Sequence, residues 1–183
     1  MSVLSRALTI AGAGLSYLLR GIDLVVAGLG WTIAWLLVAM VVGQFALVLL
    51  RYVFGVGFIM GQEAVVFAHG TVFMVLAALA LQADQHVRVD VFYRRLNARG
   101  RALVDVLGLV VFLLPLCGLI LLVGWPYVET SWAIQERSRE TAGLPFVYIH
   151  KTMVIVFAGL LGLQGLAMLV RKLTVLFGLP AIR

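Results

Sequence analysis

Four apolar runs dominate the chain: residues 24–50, 64–83, 106–128 and 152–170, with lengths of 27, 20, 23 and 19 residues. About 20 residues at ~1.5 Å rise per residue cover a hydrocarbon core of ~30 Å, so each run can cross a bilayer as a helix. A helix satisfies its own backbone hydrogen bonds, which lipid cannot do for it. Four spans in 183 residues leave no stretch long enough for a separate soluble domain. With 63% hydrophobic and 12% charged residues, composition agrees. The expected fold is an all-α integral membrane protein of four transmembrane helices, forming a single membrane domain over residues 1–183.

Charge gives the orientation. With both termini in the cytoplasm, the inner segments carry Arg6, Arg20, Arg88, Arg94, Arg95, Arg99, Arg101, Arg171, Lys172 and Arg183. The outer segments carry only Arg51, Arg137, Arg139 and Lys151, and ten basic residues against four set both ends inside. The net charge of +6 is spread along the membrane flanks and not gathered on one face, so it reads as topology and not as a nucleic-acid surface. Ala11-Gly12-Ala13 makes a poor cleavage site, and the N-terminal segment is expected to be retained.

Two segments suggest helices lying in the inner interface. In 85–103, Val89, Phe92, Leu96 and Leu103 recur at roughly helical spacing while Arg88, Arg95 and Arg99 lie elsewhere. Residues 1–20 show a weaker pattern with Leu4, Leu8, Leu15 and Leu18. The first span, at 27 residues, is too long to stand upright and must tilt, bend or project. Pro115 is expected to bend the third span, and Pro126 to mark its outer end.

Few side chains in the spans invite chemistry. The single cysteine, Cys117, reads as a small core residue. Gln44, His69 and Gln164 are the notable polar groups, and the plain reading of each is an interhelical hydrogen bond. Gln44 lies seven residues from Arg51 and His69 six from Glu63, so the two fall at similar depth. Haem ligation would need facing imidazoles, and counting along parallel axes places His150 and His69 about 9 Å apart in depth. No phosphate-binding loop, catalytic triad or metal motif is present, so no enzyme activity and no cofactor in this chain is expected.

The loops are richer. Asp84-Gln85-His86-Val87-Arg88-Val89-Asp90 concentrates charge at the inner end of the second span, with His86 and Asp90 four apart. Outside, Glu136, Arg137, Arg139 and Glu140 form a mixed-charge patch that runs into the turn Gly143-Leu144-Pro145. A patch of this kind suits a docking surface for a soluble partner.

With Glu63 opening the second span, the His86–Asp90 run, Gly143-Leu144-Pro145 before Lys151, and Gln164-Gly165-Leu166-Ala167, the chain resembles the small, DctQ-like permease subunit of a tripartite ATP-independent periplasmic (TRAP) transporter. The features from Ser131 to Lys151 and from Gln164 to Ala167 look like the mannitol or chloroaromatic branch, while Gln62 stands where many relatives carry a second acid. The resemblance implies a scaffold subunit of the bacterial inner membrane, in contact with lipid and not with nucleic acid. Its implied partners are a large multi-spanning permease, which holds the sodium and substrate sites, and a periplasmic binding protein that delivers an organic acid. On that resemblance, Glu63, His86, Arg88 and Asp90 are expected to stabilise the subunit or its contact with the large permease. Glu136, Arg137, Arg139, Glu140, Gly143, Leu144 and Pro145 are expected to receive the binding protein. The competing readings are a b-type cytochrome or quinone-linked anchor, and an independent small exporter.

Overall fold

Proline placement decides where the helices can run. The first of the four prolines is Pro115, and nothing before it forbids helix. In the computed structural model, residues 3–85, 93 and 95–178 are described, with side chains from residue 14 onward. Four helices among them are long and apolar enough to cross a membrane. These are α1 (Val3–Tyr52), α2 (Ile59–Gln82), α3 (Ala98–Ala133) and α4 (Val147–Phe177). The expected four-span helical fold is borne out.

Helix α1 is longer than the sequence pattern suggested. Its 50 residues form one rod, about 75 Å at ~1.5 Å per residue, more than twice a ~30 Å hydrocarbon core. The weakly apolar 1–20 stretch and the first span are therefore continuous from Val3 on. Its glycines cost up to ~1 kcal/mol each in a helix, which weakens the rod without breaking it. The helix touches its neighbours along a narrow seam: Leu19, Val26 and Ile33, seven apart, are 2%, 3% and 9% exposed. Met40 and Leu47 continue the interval half-buried. Seven-residue spacing is the signature of helices packed side by side at a small angle. Most of its remaining surface, including Trp31 and Trp35, faces outward.

Helix α4 packs against each of the other three helices, while α1 packs chiefly on α2. Ile33 of α1 meets Val72 and Val75 of α2, with Leu160 of α4 alongside. Leu81, Cys117 and Leu161 join α2, α3 and α4 in a second cluster, which places Cys117 in the core as expected.

Helix α3 differs from its expected span of 106–128 at both ends. It starts at Ala98, where the Asn97 side chain accepts the Gly100 N–H at 2.8 Å. Leu103 thus belongs to α3 and not to a separate interfacial helix, whereas residues 86–92 of the expected segment lie outside the described residues. Leu109–Leu113 form a π turn, and Leu114 N–H donates to Leu109 O. Pro115 cannot donate to Val111, so the helix shifts register immediately before it. Pro126 lies inside the helix, which continues to Ala133.

Helices α2 and α3 end alike. Asp84 (φ 55°) and Gln135 (φ 46°) adopt the left-handed conformation. Gln85 N–H then reaches Ala80 O at 2.9 Å, and Glu136 N–H reaches Ser131 O at 3.0 Å. Each closes a Schellman turn that satisfies the last carbonyls. The second of these turns points Glu136 back at the end of its own helix.

Candidate functional site

Three polar groupings stand out, one at each end of the bundle and one within the spans. At one end, the Asp23 carboxylate on α1 accepts from both terminal nitrogens of Arg171 on α4, one at 3.3 Å and the other closer, and from Gln164 Nε2 at 3.3 Å. Gln82 Nε2 of α2 donates to the Asp23 main-chain oxygen at 3.1 Å. Three helices are therefore tied at one point. Gln164 is 1% exposed and its Oε1 has no partner among the described residues, so its hydrogen bond to Asp23 is the one that satisfies this buried amide. Nearby, Lys172 of α4 pairs with Asp105 of α3 at 2.6 Å, and Tyr93 Oη donates to the same carboxylate at 2.9 Å.

At the opposite end, two carboxylates fold the loop between α3 and α4. Glu136 accepts from Lys151 Nζ at 2.5 Å and from Ser131 Oγ at 2.7 Å. The Lys151 hydrogen bond, joined by that of Ser131, holds the Glu136 carboxyl below the usual carboxylate range. Lys151 also lies 4.1 Å from the centre of the Tyr127 ring. Glu63, at the start of α2, accepts from Ser138 Oγ and from the Leu144 N–H at 2.6 Å. Gly143 makes this possible: a Cβ there would stand 2.7 Å from Glu63 Oε2 and closer still to the Ser138 side chain.

Of the residues expected to face a soluble partner, Glu136, Gly143 and Leu144 thus hold the loop from inside, and Pro145 is half-buried. Arg137, Arg139 and Glu140 are exposed. Glu63 is bonded within the chain. His86, Arg88 and Asp90 lie outside the described residues.

The third grouping lies in the spans. Gln44 and His69 are exposed and line one groove between α1 and α2 with Met40 and Val65, the shared depth their spacing indicated. The reading of His150 needs correction. Its ring stacks on Phe67 with centroids 4.3 Å apart and planes 2° apart, and Cε1 would lie 2.8 Å from a Cβ at Gly70. His150 is therefore level with the 67–70 turn of α2, and no large depth offset separates it from His69. The two imidazoles are divided by direction: His150 packs onto α2 while His69 faces outward.

Asp23, Asp105 and Ser138 were missed by sequence reasoning. The first two sit at the edges of apolar runs and look like ordinary flanking charge, and Ser138 is one of many loop hydroxyls. No curated protein and no solved structure matches the chain. The model of the family described as tripartite ATP-independent periplasmic transporters, DctQ component, matches residues 40–175, which take in the α3–α4 loop, Glu63, His69, Gln164 and Arg171. The chain belongs to that family and is a multi-pass membrane component of a TRAP transporter.

Proposed function

We propose that the chain is the non-catalytic scaffold of a sodium-driven secondary transporter that imports an organic acid. Family membership makes it a transporter component and not a catalytic protein. In the finer reading, the large permease holds the sodium and substrate sites, and a periplasmic binding protein delivers the acid. The chain sits in the bacterial inner membrane with both termini in the cytoplasm, as its basic residues favour.

One observation carries the reading. Four acidic groups brace the chain itself: Asp23 with Arg171, Asp105 with Lys172, Glu136 with Lys151, and Glu63 with the outer loop. Ionisable groups along a transport pathway face a cavity and serve an ion or substrate, whereas these join helix to helix. A braced bundle suits a frame against which a mobile partner works. Glu63 fixes the loop, and His86, Arg88 and Asp90 add to subunit stability or to the permease contact. The pinned loop leaves Arg137, Arg139 and Glu140 free to meet the binding protein.

Reversing Arg137 and Arg139 to Glu tests the outer half of this account. Uptake that depends on the binding protein should fall by at least about tenfold, the equivalent of ~1.4 kcal/mol, while the membrane complex is recovered in normal yield. Unchanged uptake refutes the docking role.

A further inference from the structure

Gln44 and His69 stand in spans with no hydrogen-bonding partner among the described residues. Gln44 is seven residues in from Arg51 and His69 six in from Glu63, roughly 10 Å and 9 Å along their helices. Both are exposed, and both open into one groove of about 360 Å³ lined otherwise by Met40, Val41, Val65 and Val66. Gln164, the third polar group of the spans, is buried and bonded to Asp23. At this depth an acyl chain offers neither donor nor acceptor, so an amide and an imidazole turned toward lipid remain unsatisfied.

We infer that this groove receives a transmembrane helix of the large permease whose side chains hydrogen-bond to Gln44 and His69. The inference rests on the reading of the chain as a transporter subunit, which supplies a membrane-spanning partner. A carboxamide both donates and accepts, and an imidazole has two ring nitrogens for the same purpose, so uncharged polar residues on the incoming helix satisfy both. Gln44 and His69 both fall in the region shared with the family.

The test uses the whole transporter in native membranes. A photo-crosslinking residue at Val66, 63% exposed in the groove, should join this chain to the large permease, and one at Phe112 on α3, 73% exposed, should not. The double variant Gln44→Leu, His69→Leu should lower recovery of the large permease with the tagged chain by about tenfold, the loss of two interhelical hydrogen bonds. The level of this chain in the membrane should be unchanged, since neither residue contributes to its core. Crosslinks from Val66 to a second copy or to lipid alone overturn the inference, as does wild-type recovery with the double variant. If the unmodified chain brings down no large permease, the proposed function falls with it; if it does and only Phe112 crosslinks, the groove assignment alone fails.

Discussion

Removing the Asp23 carboxylate should loosen its end of the bundle by an amount the geometry fixes. Two contacts are lost in Asp23→Leu. The Gln164 amide, 1% exposed, loses its acceptor, and a buried unsatisfied donor costs about 1–3 kcal/mol. Arg171 loses its counter-ion. Both side chains of that pair are 29% exposed, and a pair between surface and interior contributes about 1 kcal/mol. The sum is about 2–4 kcal/mol. Asp23→Asn keeps an oxygen for Gln164 and removes only the charge, so it should cost about 1 kcal/mol. The Gln82 bond goes to the main-chain oxygen and survives both changes. Chemical unfolding in mild detergent reads the differences. Removing Asp23 and Arg171 together should cost less than the sum of the single changes, because they share one interaction. An Asp23→Leu protein within about 0.5 kcal/mol of wild type, or an Asn variant as damaged as the Leu variant, refutes the reasoning.

Three further outcomes concern the α3–α4 loop. The lowered folded-state pKa of Glu136 means that its contribution is fully present above the ordinary carboxylate value of 4.5 and is lost as pH falls below it through the folded value. Protection of the amides over residues 134–146, taken relative to the intrinsic exchange rate at each pH, should therefore be constant near neutrality and fall in acid, and Glu136→Gln should show the lowered protection already at pH 7. Gly143→Ala should force Ser138 or Glu63 aside and cost about 1–3 kcal/mol, with faster exchange at Leu144 as its signature. Gln135→Gly should raise thermal stability by about 0.5–1 kcal/mol, because the left-handed φ of 46° is strained for Gln and free for Gly.

Apolar run length made four helices legible, and charge-free composition placed Cys117 in the core. The rod of α1 was harder to read. Its glycine-rich start has weak periodicity, and continuity there depends on the absence of proline and not on any positive signal. The start of α3 at Ala98 was masked by Arg99 and Arg101, which break the apolar run without breaking the helix. Proline alone indicated irregularity near Pro115, but whether it produces a kink or a π turn depends on how α4 packs beside it.

The site residues divide by sequence distance. Glu63 and Gly143-Leu144 were each visible as oddities, an acid opening a span and a turn before another, yet their contact joins positions 81 apart. Gln164 was visible as a polar group in an apolar span, but Asp23 lies 141 residues away and looked like flanking charge. A single sequence shows which groups need partners and is silent on which partners meet. The same limit misplaced His150, because counting residues from span ends assumes upright parallel helices.

The most direct test of the scaffold account is gentle purification of the tagged chain from its native membranes, with mass analysis and an absorbance spectrum of the same sample. The account predicts a colourless, stoichiometric complex with one large multi-spanning protein. A lone chain, a homodimer or a coloured sample would contradict it.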